Sequence, residues 1–126
     1  MTTDTDLYDT RGVANINGVV YTNSQGAQFC FGSTQRNWKY DLGRRYGSFL
    51  TTIGLNDNSN AKAVVRYEIF ADERLLYSKD VSLGKSYSVD VSVKDVLRMR
   101  LVSTLLTTEG VCGEATAEWG DARLGS

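Results

Sequence analysis

The chain closes on Ala115-Thr116-Ala117-Glu118-Trp119-Gly120-Asp121-Ala122-Arg123-Leu124, where small residues alternate with larger ones. Such alternation is the signature of a strand, in which residues two apart point to the same face. Trp119 and Asp121 are therefore expected to share a face. That face is the inner one, because a Trp buries so much apolar area. A carboxylate buried beside it must be hydrogen-bonded, paired or metal-bound. The reading makes Trp119 structural. It gives Asp121 two roles to choose between: capping backbone amides, or binding a cation with Glu118 or loop carbonyls.

The same period of two runs back through the chain. Ile16 to Tyr21 reads as a short strand interrupted by Gly18. Asn37 to Leu42 places Trp38, Tyr40 and Leu42 on one face, and Ser48 to Leu55 aligns Phe49, Thr51, Ile53 and Leu55. Lys62 to Phe70 alternates Val65, Tyr67 and Ile69 against Val64, Arg66, Glu68 and Phe70, and Glu73 to Lys79 pairs with it as a hairpin. Tyr87 to Val93 and Leu97 to Leu106 complete the set. About eight such strands with turn residues between them predict an all-β fold, an antiparallel β-sandwich or barrel. Proline is absent, so the turns fall to Gly, Asn, Asp and Ser. Charges at Lys62, Arg66, Glu68, Lys79, Arg98 and Arg100 keep exposed strand faces from aggregating. Residues 1–6 are polar and read as a disordered N-terminal tail. One domain is expected over 7–126, with no internal repeat.

The 126 residues suffice for one core, and a net charge of −1 gives no attraction to nucleic acid or to an anionic membrane surface. No apolar run approaches the roughly 18 residues of a membrane span, and the start lacks a signal-peptide pattern. The chain has no histidine, which removes the commonest general base and transition-metal ligand. Ser, Thr and Cys nucleophiles thus lack their usual partner. Gly43 and Gly47 do not have phosphate-loop spacing. With 15 acidic residues, a nearby carboxylate pair has no diagnostic value. No enzymatic activity is expected. Cys30 and Cys112 are read as a disulfide in preference to buried free thiols, because both border loops; a bond would imply an oxidising compartment.

Two features could bind. The loop Asn56-Asp57-Asn58-Ser59-Asn60 offers oxygens suited to a hard cation, or it is a turn built on Asx side chains. Trp38 and Tyr40 are core residues or, if exposed, an aromatic platform for a pyranose ring.

Taken in order, these segments resemble a known family. Ile16 to Ser24 looks like the opening strand of NPCBM-type domains, a carbohydrate-binding module family with a galactose-binding-like β-sandwich or jelly roll. Tyr40-Asp41-Leu42-Gly43, followed by Tyr46 and Phe49, is similar to a family segment, as are Thr52 to Asp57, Phe70 to Tyr77, Val89-Asp90-Val91 and Leu97 to Leu101. Trp119-Gly120-Asp121-Ala122-Arg123-Leu124 completes a resemblance that covers about residues 7 to 124. Where the family often carries Gly-x-His-Ala, this chain has Gln25-Gly26-Ala27-Gln28-Phe29-Cys30.

The resemblance implies a non-catalytic module of a larger bacterial protein that recognises a glycan or cell-surface polysaccharide through loops at one end. Arg36, Trp38, Asn56, Asp57 and Glu118 are the expected contacts: the ring stacks, while the amides and charges bond hydroxyls. Some relatives hold a structural Ca2+, the one cofactor to expect. The implied location is extracellular or at the cell surface, with the cytoplasm left open. The alternative is a structural or protein-interaction sandwich that has lost the sugar site, which the missing histidine favours.

Overall fold

The computed structural model describes residues 9–29, 35–106 and 115–125. The strands are β1 (Asp9–Ile16), β2 (Val19–Gln28), β3 (Gln35–Asp41), β4 (Ser48–Leu55), β5 (Val64–Ala71), β6 (Arg74–Ser82), β7 (Ser86–Ser92), β8 (Arg98–Leu105) and β9 (Thr116–Gly125). They form one sheet of order β1-β2-β9-β4-β7 and another of order β3-β8-β5-β6, and every described pairing is antiparallel. No helix occurs among the described residues.

Alternation builds the layers. In β3 each inward residue is buried and each outward one exposed. Inward residues of both sheets, among them Trp38, Phe49, Ile53, Tyr67, Ile69, Met99, Leu101 and Trp119, form one core. Trp119 meets Tyr67 edge to face at a centroid distance of 5.1 Å. Its Nε1–H donates to Ser103 Oγ at 3.0 Å, which satisfies the one polar atom of the ring.

Two sequence readings need correction. Gly18 does not interrupt a strand. Asn17 (φ 49°) and Gly18 (φ 78°) form the turn of a hairpin between β1 and β2, because adjacent positive φ values match the twist of the flanking strands. Asp121 does not share the inner face with Trp119. Between the pairs Thr52↔Gly120 and Leu50↔Arg123, β9 has one residue more than β4, so Asp121 and Ala122 together oppose Thr51. Asp121 sits at φ 49°, as the first residue of such a bulge can. The extra residue resets the alternation: Ala122 and Leu124 pack against the core, and Asp121 bonds Arg123 at the surface. Residues 1–6, Cys30 and Cys112 lie outside the described residues.

Candidate functional site

One end of the sandwich gathers the chain ends flanking residues 30–34 and 107–114, together with the loop between β4 and β5. Phe29 N–H donates to Ala115 O at 3.3 Å, Asn56 N–H to Thr116 O at 2.9 Å, and Leu106 N–H to Val64 O at 2.8 Å. The loop is braced from within. Asn56 Oδ1 accepts from Asn58 N–H at 3.1 Å and Asn60 Oδ1 from Lys62 N–H at 2.8 Å, the bonding of Asx turns. Ser59 Oγ accepts from Thr116 N–H at 3.1 Å and ties the loop to β9.

Asp57 is a clasp. Its two carboxylate oxygens accept from Asn17 N–H at 2.9 Å and Gly18 N–H at 3.0 Å, and its own N–H donates to Asn15 O at 2.8 Å. These bonds hold the β1–β2 turn against this end. Behind the turn, the hairpin folds across the outer face of its own sheet. A Cβ at Gly54 would lie 2.2 Å from Ile16 Cγ2, and one at Gly120 would lie 3.0 Å from Tyr21 Cγ and 3.1 Å from Ile16 Cδ1. Glycine at both positions is what allows this approach.

Glu118 faces away from Trp119, flanked across the ladder by Gly26 and Gly54, yet is only 2% exposed. Tyr67 reaches the same place from the other side. Its hydroxyl donates to Gly54 O at 2.6 Å and accepts from Glu118 N–H at 3.1 Å, joining β4 to β9. Burial, and secondarily the negative charge of Glu118, push the Tyr67 hydroxyl well above its ordinary pKa, so it stays protonated and able to donate.

Arg36 (9% exposed) and Trp38 (3% exposed) both point inward from β3, as does Tyr40, whose hydroxyl bonds Gln25 Oε1 and joins the two sheets. Trp38 is a core residue, and its ring faces are not presented to solvent. Of the expected contacts, Asn56 and Asp57 lie at the surface of this end, whereas Arg36, Trp38 and Glu118 lie behind it.

A Ca2+ ion needs six to eight oxygens. Asp57 is engaged by backbone amides and Asp121 by Arg123 Nη1 at 2.8 Å. Among the described residues no three His, Cys, Asp or Glu side chains converge. Asp121, expected to cap backbone amides or to bind a cation, is seen in a surface ion pair with Arg123.

Sequence reading missed a second polar feature. The outer face of β5 and β6 carries a shallow depression lined by Arg66, Glu68, Ser78, Lys79 and Asp80. Alternation marks Arg66 and Glu68 only as exposed charges on a strand face, and the register Arg66↔Asp80, Glu68↔Ser78 is what brings the set together.

Two antiparallel layers, of five and four strands, packed on one core define a β-sandwich. The sequence matches the NPCBM/NEW2 domain over residues 12–125, and the chain belongs to that family. Its fold is similar to a CBM51 from Clostridium perfringens GH95, solved in complex with methyl-galactose: TM-score 0.73, 16% identity, covering 98% of this chain and 94% of that one. It is also similar to the M60 catalytic domain with CBM51-1 and CBM51-2 of Clostridium perfringens ZmpB: TM-score 0.75, 17% identity, covering 100% of this chain but 14% of that one. A third likeness is to the tandem CBM51 modules of Sp3GH98 from Streptococcus pneumoniae: TM-score 0.67, 20% identity, covering 93% and 36%. Among curated proteins, no match was found.

Proposed function

We propose that the chain is a non-catalytic carbohydrate-binding module that recognises a glycan or cell-surface polysaccharide at the end formed by the β4–β5 loop, and that it works outside the cell as one part of a larger bacterial protein. The observation that carries this reading is the family match across residues 12–125. Asn56 uses Oδ1 within the loop and leaves its Nδ2 donors for a sugar hydroxyl. Asp57 fixes the loop against the hairpin, and Arg36, Trp38 and Glu118 act as buried supports behind the contact surface. A site of this kind buries little area, so single-site affinity is weak. Likenesses in which the matched module is a minor fraction of a longer chain support a multidomain parent.

A glycan array followed by calorimetry on the intact chain tests the reading. Saturable heat with at least one arrayed glycan is expected, without turnover of glycosides; silence across arrays of varied composition contradicts it. One observation favours a second reading, a protein-interaction domain. Val13, Val19 and Val20 are 64%, 50% and 59% exposed on the β1–β2 hairpin.

A further inference from the structure

The two outer sheet faces differ. The β1–β2 hairpin lies over the first, with Ile16 against Gly54 and Gly120. The second, on β3-β8-β5-β6, is mostly polar, with Val102 buried among its outward side chains at 2% exposure and Phe70 under the Arg100 guanidinium. Register sets its outward side chains in rows: Gln35–Thr104–Arg66–Asp80, then Asn37–Val102–Glu68–Ser78. Most of them are engaged. Gln35 Nε2–H donates to Thr104 Oγ1 at 3.2 Å, Asn37 Nδ2–H to Gln35 Oε1 at 3.1 Å, and Arg100 Nη1–H to Asn37 Oδ1 at 2.9 Å. Arg66 grips Asp80 through Nε (2.8 Å) and Nη2 (3.2 Å). The side chains of Glu68 and Ser78 make no hydrogen bond among the described residues, and both line the depression.

From this arrangement we infer a second saccharide-contact site on the open sheet face, distinct from the loop end, that takes the vicinal diol of a neutral hexopyranoside. Glu68 supplies two acceptor oxygens, which match the paired O–H donors of adjacent ring hydroxyls. Ser78 Oγ and the remaining Arg66 nitrogen, Nη1, stand beside them as further partners. Asp80 holds the guanidinium in place before any ligand arrives, so little ordering is required on binding. Arg66 and Asp80 offset each other's charge, which leaves the Glu68 oxygens to accept from the hydroxyls of a neutral ligand. Lys79 turns its ammonium to the Tyr87 ring, 4.5 Å from the centroid. The site stands on paired strands, which keep its geometry more firmly than loops do.

The site goes beyond the proposed function, and residue-resolved NMR separates the two. The intact 15N-labelled chain is titrated with methyl-galactose, methyl mannoside and N-acetylglucosamine. Saturable shifts at the amides of Arg66, Glu68, Ser78 and Asp80 are expected with at least one sugar. Glu68→Gln and Ser78→Ala should each weaken that response about tenfold, as loss of one good polar contact does, with the rest of the spectrum unmoved. Shifts confined to Asn56–Asn60 and Thr116–Glu118 overturn the second site and leave the loop-end reading standing. Shifts on the sheet that persist unchanged in both variants also overturn it. No shift with any of the sugars counts against both.

Discussion

Asp57, Tyr67 and Asp72 each hydrogen-bond backbone groups that are distant in sequence. Removing the Asp57 carboxylate leaves the Asn17 and Gly18 amides without their acceptor. Asp57→Ala is expected to cost about 1–3 kcal/mol, read as a lower urea midpoint and as faster hydrogen exchange at those two amides. Unchanged exchange would contradict the clasp. Tyr67→Phe keeps the ring against Trp119 but removes the buried hydroxyl that bridges Gly54 O and Glu118 N–H. A loss of about 1–3 kcal/mol follows, checked by chemical unfolding. Asp72 caps the start of β8: its carboxylate accepts from Arg98 N–H at 3.0 Å and Leu97 N–H at 3.2 Å, and these bonds, Arg98 first, lower its pKa. Asp80 is lowered too, chiefly by its hydrogen bond from Arg66. A carboxyl held lower in the folded state than in the unfolded chain stabilises above its unfolded pKa, and that contribution is lost as pH falls through the folded value. Stability should therefore decline below the ordinary carboxylate range, and Asp72→Asn should flatten that acid limb. An acid limb identical to that of the parent would contradict this account.

Among the strands, the β1–β2 hairpin is the element whose placement was hardest to foresee. Its contact with the sheet depends on Gly54, where an added Cβ would sit 2.2 Å from Ile16 Cγ2 and 3.0 Å from the Lys85 carbonyl oxygen. Backbone on one side cannot yield cheaply, so Gly54→Ala is expected to cost about 1–3 kcal/mol and to perturb the Ile16 methyl resonances. A variant with parental stability and unmoved methyls would contradict the packing. Elements with unbroken alternation were readable from sequence: β3 and β5 show the inward residues that their patterns predict. β9 was readable only up to its bulge, since a period of two says nothing about an extra residue until the partner strand supplies the register. Residues 56–60 could be read as a polar, turn-forming loop. The role of Asp57 could not, because its partners lie 40 and 39 positions away in sequence. Trp38 takes the core alternative of its two readings, as the inward phase of β3 dictates, and Arg36 shares that phase.

Taken together, the two sheets give the protein a covered face, an open, mostly polar face and a loop end where β2, β3, β4, β8 and β9 begin or finish. The core fixes this scaffold, and the loops vary on it, which is how rigid sandwiches usually carry recognition. Family membership accounts for the scaffold; the ligand is a matter of the side chains at the end and on the open face. The exposed valines of the hairpin give a separate prediction. If that face docks another protein, Val20→Lys abolishes the association and leaves glycan binding intact, as pull-down and calorimetry would report. The most direct measurement is a crystal structure of the chain soaked with the tightest-binding glycan from the array. The account predicts saccharide density at the loop end, within hydrogen-bond distance of Asn56. Crystals with that end open to solvent and no saccharide bound there would contradict it.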